Sequence, residues 1–227
     1  MKKPVVISLG GSLIAPAAGV DYLFLKGFRE IILKFVAQGF RFLIIAGGGK
    51  TCRDYQKAAQ KVVGLGREDV DWLGIHATHL NGHLLRTIFR DAAYPKVLTH
   101  YLEREEVSKP VIVAAGWKPG HSTDYDAVSF AKLYDSDTVL NLSDIRFVYD
   151  KDPDKFADAR ALRKISWAAF MKIVGDRWDP GLNTPFDPVA SKLAAKAGLK
   201  VVVMSGRDLK NLENYLLGKS FEGTIIS

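Results

Sequence analysis

The chain has 227 residues, 48% of them apolar and 25% charged, with a formal charge of +7. That length and balance support one sizeable core and exclude extended disorder, while the lone cysteine, Cys52, excludes an intrachain disulfide framework and suits a reducing compartment. The basic excess favours anionic partners, but Lys and Arg are scattered and no helix-turn-helix or RNA-binding signature occurs, so phosphorylated small molecules fit better than nucleic acid.

The first twenty residues, MKKPVVISLGGSLIAPAAGV, have a charged start, an apolar stretch and small residues, as a secretory signal does. Pro4 and the Gly10-Gly11-Ser12 break leave apolar pieces too short for one. No apolar run reaches membrane-spanning length, and the reading is a cytoplasmic protein with no membrane partner. Strand-like runs follow at Val5 to Leu9, Phe42 to Ala46, Val111 to Ala115, Thr138 to Leu142 and Val201 to Met204. Between them lie helical periods such as Phe24, Phe28, Ile31, Ile32 and Phe35. The strands are nearly continuous in hydrophobicity rather than alternating, as expected of parallel strands covered by helices on both faces. These features predict one α/β domain over 1–227, a three-layer αβα sandwich around a mainly parallel sheet. Ligands of such sheets bind beyond the carboxyl ends of the strands.

Two loops there are rich in glycine: SLGGSLI after the first strand and IAGGGKTCRDY after the second. Such loops bring backbone N–H groups to a phosphate, or simply make tight turns with positive φ. Neither matches the phosphate-loop or dinucleotide fingerprint. The segment EDVDWLGIHATHLNGHLLRTIFRDA then predicts one long helix with Leu73, Ala77, Leu80, Leu84, Leu85 and Ile88 on its apolar face. His76, His79 and His83 have metal-binding spacing but lack a completing carboxylate or cysteine, so the helix reads as a subunit contact and no metal site is expected. Asp150 to Arg163 is polar with a DP turn. The C-terminal stretch predicts helix, strand, helix and a short last strand, with Lys192 and Lys196 on a solvated face.

The segment GWKPGHSTD has more polar chemistry than a turn needs. Pro119-Gly120 sets the turn and Ser122 or Thr123 caps the next helix. An ordinary capped turn leaves Lys118, His121 and the second hydroxyl unexplained; all three suit an anion.

VVISLGGSLI, IAGGGKTCRDY, DWLGIHATHLNGHLL, GWKPGHSTD, VYDKDPDK, FDPVASKLAAKAGLKVVV and GTII occur in the order found in the amino acid kinase superfamily. Over nearly the whole chain they resemble its archaeal-type UMP kinases. The resemblance implies transfer of the γ-phosphoryl of ATP to UMP with Mg²⁺ carried by the nucleotide phosphates, in a homo-oligomer (hexamer or dimer) serving pyrimidine biosynthesis. By position, Gly11, Ser12, Gly49, Arg53, Ser143, Asp144, Tyr149 and Asp152 would contact ATP. Gly48, Asp71, Trp117, Lys118, Pro119, Gly120, His121, Ser122 and Thr123 would hold the acceptor. Asp144, Asp187 and Lys50 would be catalytic, with Asp187 also capping a helix. Ser8 stands where many relatives have Lys, so Lys50, Arg53 or Lys118 would supply the cation. Arg146 and Phe147 replace an acid and a glycine, Trp117 replaces a small residue or Thr, and LSDI resembles acetylglutamate kinases. Two alternatives therefore stay open: a small-acid kinase of the acetylglutamate or carbamate type, and a non-catalytic nucleotide or oxyanion binder.

Overall fold

The computed structural model describes residues 2–175 and 184–227. Its elements in chain order are β1 (Val5–Leu9), α1 (Gly11–Ile14), α2 (Tyr22–Val36), β2 (Phe42–Ala46), α3 (Gly49–Val62), α4 (Arg67–Ile88), β3 (Ala93–Leu98), β4 (Val111–Ala114) and α5 (Thr123–Leu133). They continue with β5 (Thr138–Ser143), β6 (Val148–Tyr149), β7 (Ala161–Leu162), β8 (Lys164–Ile165), α6 (Trp167–Val174), α7 (Pro188–Lys196), β9 (Lys200–Ser205), α8 (Leu209–Leu216) and β10 (Thr224–Ile226).

Eight strands form one sheet in the order β3-β4-β2-β1-β5-β9-β10-β8. All pairings from β3 to β9 are parallel, and β10 runs antiparallel to β9. The mainly parallel αβα sandwich expected from the apolar runs is therefore the observed architecture. The strand pleat sends successive side chains to opposite layers. Val6, Leu43 and Ile45 join the core under α5, α6 and α7, while Ile7, Leu9 and Ile44 join the core under α2 and α8. Ser8 shares the face of Val6, and its hydroxyl reaches α5. After β1 the chain builds outward through β2, then returns to place β5 on the other side of β1. The loops following β1 and β5 thus diverge at a switch point, the usual place for a ligand.

Several boundaries differ from the expectations. The long helix ends at Ile88, and Ala93–Leu98 is an edge strand whose Pro95 needs no ladder partner on the outer side. The polar Asp150–Arg163 stretch is folded back by the β6–β7 ribbon, Val148 opposite Leu162. Leu80 is not on the buried face of α4: it is 63% exposed, while Ile75, Thr78, Asn81, Gly82 and Leu85 face inward. A Cβ on Gly82 would already lie 3.1 Å from Val97, so the helix sits close on the sheet edge and the inward positions are small or polar. Among the described residues no helix is long and apolar enough to cross a membrane.

Candidate nucleotide site

The two glycine loops are one unit. A Cβ on Gly11 would run into the backbone nitrogen of Gly49, and Gly49 has φ +66°, a conformation that favours glycine. The amide of Lys50 donates to Ala15 O at 3.0 Å, tying the start of α3 to the end of α1. Beneath them, the buried Asn81 of α4 donates through Nδ2 to Gly47 O at 2.7 Å and Gly48 O at 3.2 Å. A third loop, Gly116 to Ser122, follows β4 and is held by the same helix. Thr78 Oγ1 accepts from the Gly116 amide at 2.9 Å and donates to Ile75 O at 2.6 Å. His79 Nε2 lies 2.7 Å from Gly116 O, and Asp71 Oδ2 accepts from the Gly120 amide at 2.9 Å. Ser122 caps α5 by accepting from the Asp124 amide. Helix α4 therefore sets the distance between the glycine loops and the hydroxyl loop.

Below that loop lie three carboxylates. Asp124 Oδ1 accepts from Ser8 Oγ at 2.8 Å, and Oδ2 accepts from the Asp187 amide at 3.2 Å. Burial outweighs these bonds and, with the charges of Asp187 and Asp126, pushes the Asp124 carboxyl up to about 7. Asp187 caps α7 through Oδ1, which accepts from Val189 and Ala190, while its buried Oδ2 has no partner among the described residues. Asp126 is buried with Oδ1 3.3 Å from His121 Nε2. Trp117 packs edge-on against Tyr101 with centroids 4.8 Å apart, and Lys118 Nζ lies 4.5 Å from the Trp117 ring centre. The lysine thus lies over the indole in a cation–π contact.

On the β5 side, Ser143 Oγ accepts from the Ile145 amide and Asp144 Oδ1 accepts from Arg207 Nε at 2.8 Å. Arg207 follows β9 and reaches Ser12 O at 3.4 Å and Asp21 at 3.9 Å, so it spans the first glycine loop and the β5 loop. Tyr149 stands on the ribbon with its ring edge-on to Phe147, and Asp152 is paired with Lys155 on the surface beyond it. Arg146 is bound by Glu222, so its reversed charge is locally cancelled. Lys50 pairs with Asp54 at 2.6 Å along the outside of α3, and Arg53 is exposed one turn away. A cleft of about 480 Å³ opens beside Arg207, lined by Arg146, Ser205, Asp208, Asn211 and Glu222.

The structure thus brings together Gly11, Ser12, Gly48, Gly49, Asp71 and the Trp117–Thr123 loop, with Ser143 and Asp144 adjoining them. Tyr149 and Asp152 lie farther out on the ribbon. Sequence reasoning missed Thr78, Asn81, Asp124, Asp126 and Arg207. Thr78 and Asn81 carried a usable signal, since polar residues stood at inward helical spacing. Among the described residues no three acidic, His or Cys side chains are grouped to hold a metal ion.

The model of the amino acid kinase family matches residues 3–205. The uridylate kinase of Methanococcus aeolicus is 31% identical over 226 residues, covering 98% of this chain and 99% of that protein. The uridylate kinase of Methanocaldococcus jannaschii is 32% identical, with 98% of each chain covered. The crystal structure of uridylate kinase from Archaeoglobus fulgidus superposes with a TM-score of 0.83 at 30% identity, over 99% of this chain and 100% of that one. With the family model matched over residues 3–205 and its relatives matched end to end, the chain belongs to the amino acid kinase family.

Proposed function

We propose that the protein is an ATP-dependent UMP kinase, converting ATP and UMP to ADP and UDP. The observation that carries this reading is that α4 holds both the second glycine loop and the hydroxyl loop, through Asn81 on Gly47 and Gly48, Thr78 and His79 on Gly116 and Asp71 on Gly120, while the first glycine loop packs on Gly49. One rigid element thereby fixes donor and acceptor phosphates relative to each other, which is most of what phosphoryl transfer asks of a protein. The acceptor's phosphate lies in the Gly116–Thr123 loop, where the Ser122 and Thr123 hydroxyls and the Thr123 amide at the start of the eleven-residue α5 offer donors. The donor's phosphates lie over the glycine loops, with Arg207 and Arg53 as the cations on that side. A UMP phosphate oxygen attacks the γ-phosphorus, the bond to the β-phosphate oxygen breaks, and no protein nucleophile takes part. Mg²⁺ arrives with ATP and neutralises charge on the phosphates.

The full-length match to uridylate kinases supports UMP as acceptor. Asp144 holding Arg207 favours one further reading, the small-acid kinase, in which an aspartate orients a cation. An acceptor panel of nucleoside monophosphates and small carboxylates with Mg-ATP separates the two: turnover on UMP supports the proposal, and turnover only on an acid overturns it. The enzyme would work in the cytoplasm, in pyrimidine nucleotide synthesis, as a homo-oligomer, either a dimer or a hexamer. Exposed Tyr55, Val62 and Val63 around α3 and Trp72 and Leu80 on α4 offer the apolar contact surface, and sedimentation of the purified protein as a monomer would refute that assembly.

A further inference from the structure

Asp126 lies in the first turn of α5 with only 2% of its surface exposed, and Oδ1 makes no hydrogen bond of good geometry. A carboxylate buried without donors is costly. The local amides do not relieve it: the Asp124 amide goes to Ser122 Oγ, and those of Tyr125 and Asp126 go to Ser122 O. What stands nearest is His121, with Nε2 at 3.3 Å and both side chains nearly closed to solvent, 9% and 3% exposed. Burial drives the Asp126 carboxyl toward its neutral form, and His121 opposes that. The charge of Asp187 at the start of α7 adds to the burial, and His79 on α4 acts with His121. A carboxyl side chain whose Oδ1 has no other hydrogen bond among the described residues therefore stands next to the histidine of the acceptor loop.

The rest of the surroundings fixes the ring. Tyr101 Oη makes a 3.2 Å hydrogen bond with the same Nε2 and so shares its one hydrogen with Asp126, and the Tyr125 ring packs on His121 with centroids 4.3 Å apart. Nδ1 has no hydrogen-bond partner among the described residues. The hydrogen bond made by one ring nitrogen decides what the other can do. With hydrogen on both nitrogens, the ring donates to a carboxylate on one side and to a phosphate on the other, both as charge-assisted bonds.

We propose that Asp126 is a positioning residue of the acceptor loop: it takes the Nε2 hydrogen of His121 and so presents Nδ1–H to the phosphate of the incoming nucleoside monophosphate. This rests on the reading of Gly116–Thr123 as the acceptor's cradle.

Steady-state kinetics on D126N, H121Q and the double variant test it. Asp126→Asn is expected to raise KM for UMP about tenfold, the loss carried by one charge-assisted hydrogen bond, with KM for ATP and kcat little changed. H121Q alone should raise KM for UMP at least as much, and D126N added to it should have no further effect. An equal D126N penalty in both backgrounds overturns the inference, as does an equal rise in both KM values, because a packing role produces either. H121Q with an unchanged KM for UMP overturns the cradle assignment itself. For a D126N that does not fold, nitrogen-15 NMR of the wild-type complex with UMP decides. Hydrogen on both ring nitrogens of His121 supports the inference, and a bare Nε2 overturns it.

Discussion

Asp124→Asn should flatten the stability of the protein between about pH 4 and pH 7. The carboxyl sits between Ser8 Oγ and the Asp187 amide, yet burial beside Asp187 and Asp126 lifts it to about 7. In the unfolded chain an aspartate titrates near 3.9, roughly three units lower. Across that window the unfolded state has released its proton while the folded state keeps it, so the unfolded state binds fewer protons and stability falls as pH rises. At 1.36 kcal/mol per unit the ceiling is about 4 kcal/mol, reached near pH 7 with little further change above. Asn cannot ionise and lacks this term. Urea unfolding of wild type and D124N at steps from pH 4 to pH 8 reads it, because titrations of groups remote from Asp124 cancel in the difference and only the coupled Asp126 and Asp187 contribute beside it. The difference should move in favour of D124N by about 2 to 4 kcal/mol up to pH 7 and then level off. A difference that is constant with pH would refute the reasoning, since Asp124 would then titrate alike in the folded and unfolded states.

Other substitutions probe the loops. Gly11→Ala should abolish measurable turnover while leaving most of the sheet intact, because the new Cβ collides with the backbone of Gly47 and Gly49; activity and circular dichroism measured together check this, and near-normal activity would show that the loops are not interlocked. Asn81→Ala removes the donor to the buried Gly47 carbonyl and the half-buried Gly48 carbonyl and should cost about 1 to 3 kcal/mol in urea unfolding, with KM rising for both substrates. Arg53→Ala should raise KM for ATP and Thr123→Ala that for UMP; the opposite pattern in initial-rate kinetics would reverse the placement of the two nucleotides.

How much of this was legible depends on what each residue packs against. β1, β2, β5 and β9 were visible because strands buried on both faces are mostly apolar, with only isolated polar residues such as Ser8 and Asn141 inside them. β3 was not, because its middle is solvent-exposed and contains Pro95, and two-residue strands such as β6 and β7 have no periodicity to read. The apolar stripe of α4 was misread at Leu80 because the inward positions are Thr78, Asn81 and Gly82, chosen for holding loops and for close approach. In the site, glycines and hydroxyls announced the loops locally. The pairs Ser8–Asp124 and Arg207–Asp144 join residues 116 and 63 positions apart; the first needs the β1–β2–β4 pairing that sets α5 beside β1, and the second the parallel register of β5 and β9.

The central claim is direct phosphoryl transfer between two nucleotides held at once by loops fixed to one helix. Initial rates over a matrix of ATP and UMP concentrations with Mg²⁺, with UDP quantified as product, test it most directly. Intersecting double-reciprocal lines and one UDP per ATP consumed are the predicted result. Parallel lines, which signal a phosphorylated enzyme intermediate, or ATP consumption without UDP would contradict it.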